Sequence, residues 1–358
     1  MRYLFFDIEC CDGHHICSFG FVTTDEKFNL LKKQDIVINP QKPFVGGCRG
    51  FYLEKDFAYT KGQFLAAKSF KDQAKTIFDL FNQKDQIIVA HAAENDIKFL
   101  IRACLRYNLK LPDFDFFDTQ TLFSYIFDMP TKKFSLVKIL QALNIEATFF
   151  QHKSDEDAHM VAQILDGLVK KTGKSAKELF ERFYQCKGFV KNNKAYIYEE
   201  NPAKIFKNHI SDFAINQSPT DHVLSNKQIK FSDSFEKRDS VLRLWSLLNL
   251  MADKGGAYQK NILQSDIFVW DGDKDCKTYK LIADQKIKCQ TVSIKEFCAC
   301  LDTDWDSIPP KKINNYCPLK LPQIDDNTLK VVYSSDQNQN TGAKTALATA
   351  FDAASLKD

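Results

Sequence analysis

The chain opens Met1-Arg2-Tyr3-Leu4-Phe5-Phe6-Asp7-Ile8-Glu9, an apolar run of strand length that ends in two carboxylates. No other feature limits the fold as tightly. Side chains alternate along a strand, so Asp7 and Glu9 share a face. Two like charges side by side repel, and burial makes this worse. A cation between them removes the penalty. Hard divalent ions such as magnesium choose carboxylate oxygens and keep several waters. The competing reading is a strand running out into solvent, its charges merely exposed.

Beyond Glu9 the chain alternates strand and helix patterns. Ile16 to Thr23 reads as a second strand after the turn around Asp12-Gly13. Gln86 to Ala90 is short and β-branched, like a buried strand. It leads into Asp96 to Leu105, where Ile97, Leu100, Ile101, Cys104 and Leu105 recur at helical spacing. Phe134 to Leu143, opened by Ser135, and Asp155 to Val169 read as further helices. Val161, Ile164, Leu165 and Leu168 mark one face of the latter. Strands leading into helices predict an α/β layer fold.

At 358 residues and 44% hydrophobic, the chain has material for two domains and cannot be wholly disordered. It lacks an uninterrupted apolar stretch long enough for a membrane helix. Asp7 and Glu9 break the N-terminal apolar run, so no secretory signal is expected. Eleven cysteines occur without a CxxC pair, which argues against a structural zinc site. Reduced thiols in a cytoplasmic setting are the expectation. The net charge of +3 permits nucleic-acid contact without demanding it.

The chain divides into four regions. Residues 1–169 carry the strand and helix alternation. Residues 170–224 are lysine-rich and read as a connector with some helix and a hairpin, Asn192-Asn193 being a turn. Residues 225–302 are compact again: a strand from Gln228 to Phe231, a helix from Arg238 to Ala252 stopped by Gly255-Gly256, and a strand from Ile267 to Trp270. Ser293 and Glu296 have capping-box spacing. Residues 303–358 hold Pro309-Pro310 and an Asn/Gln-rich stretch, and read as a mobile tail.

Two further acidic motifs lie in the first region. His91-Ala92-Ala93-Glu94-Asn95-Asp96 sits where a strand turns into a helix. Asp96 there is a possible metal ligand or simply a cap. His152-Lys153-Ser154-Asp155-Glu156-Asp157 precedes a helix on which Asp157 lies four residues before Val161, on the apolar stripe. A carboxylate there is expensive unless paired or metal-bound. Asp155 and Glu156 suit the helix dipole. His152 titrates in the right range for proton transfer, although a lone histidine is more often a surface or structural residue.

A strand D-x-E, a strand-to-helix Asp and an H-x-x-x-x-D on a late helix together resemble the DEDDh branch of the DnaQ-like 3′–5′ exonucleases. Asp118-Thr119 after Phe116-Phe117 and the stretch from Ser135 to Ile145 support the match. The resemblance covers residues 1–169. It implies an RNase H-like α/β fold with a mixed sheet. Asp7, Glu9, Asp96 and Asp157 then correspond to the acids that hold two Mg2+ or Mn2+ ions, and His152 to the general base. Ile8 and His91 correspond to nucleic-acid-binding positions. The implied substrate is a single-stranded or frayed 3′ end, DNA favoured over RNA, releasing nucleoside monophosphates in replication or repair. The chain departs from the family at Cys10-Cys11-Asp12-Gly13 and at Ala92 and Asn95, positions that shape the nucleotide cleft. Cys10 and Cys11 are oxidation-sensitive thiols or, more simply, small packing residues.

Residues 225–302 resemble a BRCT domain, which implies a smaller α/β module with a parallel four-stranded sheet and a possible protein partner. The positions matching the phosphate site of that family are Ser232 and Lys277. Asp233 stands where a small glycine is expected, and an acid there repels phosphate. Trp245 is expected in the core. Two other functions stay open: a ribonuclease of the same fold acting on short RNA, and a non-catalytic adaptor that docks a partner through the second module.

Overall fold

The computed structural model describes residues 1–42, 58–129, 133–146, 153–214, 221–237, 240–285 and 287–321. Among them the chain forms two compact units. One is Met1–Tyr198 with residues 318–321, and the other is Glu199–Cys317.

The first unit contains strands β1 (Arg2–Cys10), β2 (Ile16–Asp25), β3 (Leu30–Val37), β4 (Gln86–Ala90), β5 (Phe114–Asp118), β6 (Lys187–Lys191) and β7 (Lys194–Tyr198). Its described helices are α1 (Lys61–Ala66), α2 (Phe70–Phe81), α3 (Glu94–Arg106), α4 (Thr119–Ile126), α5 (Leu136–Ala142), α6 (Ser154–Thr172) and α7 (Ala176–Arg182). The strands lie in the order β7-β6-β5-β4-β1-β2-β3. β1 is antiparallel to β2 but parallel to β4, and β4 is parallel to β5, so the sheet is mixed as expected.

β1 is interior because both its faces are covered. Leu4, Phe6 and Ile8 pack with Ile77 of α2 and with Ile97 and Leu100 of α3. Tyr3, Phe5 and Val22 pack with Val161, Ile164 and Leu165 of α6 on the other side. Each such side chain contributes roughly 1.5–3 kcal/mol when fully buried, so the end of β1 is firmly held. Helix α6 begins over acidic first-turn residues, carries Lys170 and Lys171 in its last turn, and stops at Gly173 in the left-handed conformation (φ +66°).

The domain boundaries differ from those expected. Residues 187–198, placed in a connector by their lysines, form the β6–β7 hairpin on the sheet, turned at Asn192 and Asn193 with φ of 52° and 57°. Their lysines alternate with Phe189, Val190, Ala195 and Ile197, of which Val190 and Ala195 are buried. Leu319 donates its N–H to the Ala195 carbonyl, so part of the segment expected to be a tail belongs to this unit. The Asn/Gln-rich stretch lies outside the described residues.

The second unit starts with α8 (Pro202–His209), earlier than expected, because Ile205 and Phe206 belong to its core. It continues through β8 (Gln228–Phe231), α9 (Val241–Asp253), β9 (Ala257–Tyr258), β10 (Ile267–Trp270), α10 (Lys277–Gln285), β11 (Gln290–Ser293) and α11 (Ile294–Ala299). The order is β11-β10-β8-β9, with all pairings parallel. The Ser293–Glu296 capping box forms, and Trp245 is buried edge-on to Phe206. No helix among the described residues is long and apolar enough to cross a membrane.

Candidate active site

Asp7 and Glu9 extend the face of β1 that carries Tyr3 and Phe5, beneath the start of α6. Opposite them on β2 stand Gly20 and Ser18. Gly20 is what allows α6 to come so close. A Cβ built on it would lie 1.9 Å from the Ser154 carbonyl carbon and 2.1 Å from the Asp155 nitrogen. The Ser18 and Ser154 hydroxyls hydrogen-bond across the same contact. Lys33 of β3 adds an ion pair to Glu156 at 2.5 Å. The first turn of α6 is thus pinned to the sheet at three places. Asp157, only 7% exposed, is thereby delivered to Asp7 and Glu9. One carboxylate oxygen from each of the three lies within 4.8 Å of the others.

Asp96 arrives from the first turn of α3, after the C-terminal end of β4, and is 5% exposed. It accepts the Ile8 N–H, which ties it to the D-x-E strand. It stands beside the cluster of three and is felt by Asp7. The turn that presents it is held by Asp118, whose Oδ1 accepts the Ala92 N–H at 2.8 Å. Ala92 has φ of 51°, so this bond fixes a residue in a conformation that side chains resist. Asp118 also caps α4 through the Gln120 and Thr121 N–H groups. Asp118→Ala is expected to cost about 1–3 kcal/mol by removing the cap and leaving the Ala92 N–H unmet. Urea unfolding measures it, and an unchanged midpoint would show that Asp118 does not hold this turn.

The electrostatics follow from crowding. Burial pushes Asp7 well above the usual carboxylate range, and the charges of Asp96, Asp157 and Glu9 push it further. Asp96 is raised the same way, by burial and then Glu9, against the downward pull of the Ile8 N–H. Such a group of oxygens is unstable when ionised alone and suited to a hard divalent cation. A further acid lies in the same cross-strand row, Asp7–Gly20–Asp35. Burial, with Asp155 and Glu9 adding, raises Asp35 to about 7, against a hydrogen bond from the Tyr59 hydroxyl at 3.0 Å. Lys153 pairs with Asp155 at 3.0 Å.

The remaining expected positions fare differently. His152 lies outside the described residues. The Ile8 side chain is 5% exposed in the core, on the opposite face of the strand from Asp7. The His91 ring is occupied within the fold. Its Nε2 is 2.9 Å from the Phe134 carbonyl and its Nδ1 is 3.1 Å from the Thr119 hydroxyl. Burial lowers its pKa, which suits a neutral ring joining β4 to the chain before α5. Burial raises the Cys10 and Cys17 thiols well above the usual thiol range, which disfavours the thiolate form.

In the second unit, Ser232 is 1% exposed and its hydroxyl lies 3.2 Å from that of Ser234. Ser234 in turn donates to Asp271, while Asp233 pairs with Lys230 at 3.4 Å. Ser232 is thus sealed among acidic neighbours, a setting unfavourable to phosphate.

Sequence reading missed Gly20, Asp118 and Asp35 as organisers of the site. Asp118 was visible as a Ser/Thr/Asp-type cap before a helical run. Gly20 looked like any glycine inside a strand, a position that often marks a close backbone approach. Asp35 had no distinguishing signal in Leu30 to Val37.

Comparison with known proteins adds an independent finding. Residues 4–165 match the family model described as Exonuclease (RNase_T), so the chain carries an exonuclease domain there. No curated protein matches the chain. Among solved structures, one similar to it is a 3′-exonuclease recognising the 3′ end of a histone mRNA stem-loop. That pair has 17% identity and a TM-score of 0.43, with 49% of this chain and 83% of that one covered. Another is the cell-death related nuclease 4, at 12% identity and TM-score 0.40, covering 47% of this chain and 64% of that one. A third is exonuclease I of E. coli bound to an oligonucleotide, at 16% identity and TM-score 0.41, covering 50% of this chain and 42% of that one.

Proposed function

We propose that the first unit is a divalent-metal-dependent 3′–5′ exonuclease that removes nucleoside monophosphates from a single-stranded or frayed 3′ end, with DNA preferred. The observation that carries this is the convergence of Asp7, Glu9 and Asp157, with Asp96 beside them, inside a domain matching an exonuclease family. The donor set is all carboxylate oxygen, which fits Mg2+ or Mn2+ rather than a soft metal. Asp7, Glu9, Asp96 and Asp157 would hold the ions. Bound, such ions supply charge neutralisation at a phosphodiester and a water of lowered pKa.

The chain's own residues do the rest. Asp96, held by the Ile8 N–H, keeps the strand end and the helix start together. Helix α6 places Asp157 over β1, and His152 precedes it in sequence as the proposed proton acceptor. The second unit, with its parallel sheet, is proposed as a BRCT-like protein-docking module in which Asp233 and the sealed Ser232 rule against phosphate.

The test is a panel of 5′-labelled and 3′-labelled oligonucleotides, DNA beside RNA, with and without Mg2+ or Mn2+. The expected result is a ladder shortening from the 3′ end, faster on DNA, only when the ion is present. His152→Ala is expected to slow it about 10²- to 10⁴-fold while Mn2+ still binds. Absence of ion-dependent cleavage on every member of the panel would overturn the proposal.

A further inference from the structure

Beyond the acidic cluster, α3 carries Glu94, Lys98, Arg102 and Arg106 at four-residue spacing, which puts them in one row along the helix. Asp96 belongs to the first turn of the same helix but lies two residues from both Glu94 and Lys98, about 200° round it, so the row runs along a different face in steps of about 6 Å. Its middle member is not a solvated surface charge. Arg102 is half-buried and donates from a terminal nitrogen to His14 Nδ1 at 3.1 Å. His14 lies in the turn joining β1 to β2, a few residues after Glu9. Burial lowers His14 first and Arg102 next, Asp12 pulls it back up, and His15 and Arg106 add smaller downward pushes.

The same turn has a second unusual feature. His15 is 7% exposed, and its Nδ1 is 2.6 Å from Asp12 Oδ2. Asp12 also accepts the His14 and His15 N–H groups, so its charge is taken up within the turn. His15 Nε2 is buried and makes no hydrogen bond. The Arg102 guanidinium and two imidazoles therefore meet beside one committed carboxylate, with a buried ring nitrogen unmet. Lys98, one turn before Arg102, is paired with Glu94 at 2.5 Å. The chemistry that complements such a seam is a run of phosphates.

We propose that the Lys98–Arg102–Arg106 row of α3 and the His14–His15 turn form a phosphate track that holds the nucleic-acid strand next to the acidic cluster. This deepens the nuclease reading and depends on it only for the identity of the strand. The track reads phosphate and not sugar, so it serves DNA and RNA alike.

Binding of the full chain to fluorescent dT12 and rU12, with EDTA present to prevent cleavage, tests it across a series of salt concentrations. Arg106→Gln is the decisive variant because its side chain is exposed at the helix end. Arg102→Gln is measured with it, and thermal unfolding checks that each is folded. Lys75→Gln on α2, 86% exposed, removes the same charge elsewhere. Each arginine variant is expected to weaken both oligonucleotides about fivefold and to lower the slope of log affinity against log salt by about 0.7. Lys75→Gln is expected to match the parent. Equal binding by Arg106→Gln and the parent, or an equal loss in Lys75→Gln, would overturn the track. If the parent degrades oligonucleotides with Mn2+ while the arginine variants bind normally, the track alone fails. A parent that neither binds nor cleaves removes the nuclease reading as well.

Discussion

Asp7→Asn is expected to lower phosphodiester hydrolysis by at least about 10³-fold and, without metal, to raise the melting temperature. Both results have one cause. Asp7 is half-buried beside Asp96, Asp157 and Glu9, and its ionised form is disfavoured by all of them. The carboxylate that makes a metal site possible is a liability to the empty fold. Asparagine fills the same space and carries no charge, so repulsion falls while a ligand is lost.

The pH dependence has a definite direction. A carboxyl whose folded pKa is raised binds its proton more tightly when folded. The stability it contributes is fully present below the unfolded value, near 4, and is lost as pH rises through the folded value. Asp7 and Asp96 are both raised, and Asp35 is raised to about 7. Without metal, stability should therefore decline from about pH 4 to beyond 7. Asp12 behaves oppositely: burial raises it, but hydrogen bonds from His15 and His14 more than offset this, so its effect is confined below about pH 4. Melting curves in EDTA from pH 5 to pH 8 measure the decline. Mn2+ is expected to restore the parent and to do much less for Asp7→Asn. A variant no more stable than the parent, with Mn2+ stabilising both equally, would mean the acids are not a metal site.

The acids are legible in the sequence because they sit on strong periodic signals. Asp7 and Glu9 are fixed by strand alternation, and Asp157 by its place on the apolar stripe of a long helix. The boundaries are less legible. The β6–β7 hairpin carries lysines at both ends of β6 and at the start of β7, so its alternation is diluted and its burial depends on partners distant in sequence. The contributions of Gly20, Asp118 and Asp35 have the same character. Each depends on a contact between elements far apart in the chain, such as Gly20 with Ser154, and a local signal such as the Asp118 cap does not identify the distant partner.

That contact supports the second large prediction, which involves no catalytic atom. Gly20→Ala is expected to cost about 3 kcal/mol or more and to reduce hydrolysis severely although every acid is retained. The added Cβ would fall 1.9 Å from a backbone carbon of Ser154, and a backbone in the first turn of a helix cannot rotate aside as a side chain can. Either β2 or α6 must move. Moving α6 carries Asp157 from Asp7 and breaks the Ser18–Ser154 hydrogen bond. Gly167→Ala is the matched control on the same helix. There the nearest atom is Ile145 Cδ1 at 2.8 Å, the far end of a flexible side chain, and alanine favours the helix by about 1 kcal/mol over glycine. Urea midpoints and Mn2+-dependent cleavage rates for the two variants separate the effects. Gly167→Ala should stay close to the parent in both, whereas Gly20→Ala should fall in both. If Gly20→Ala kept the parent's rate, the close seat of α6 on β2 would not be what brings Asp157 to the other acids.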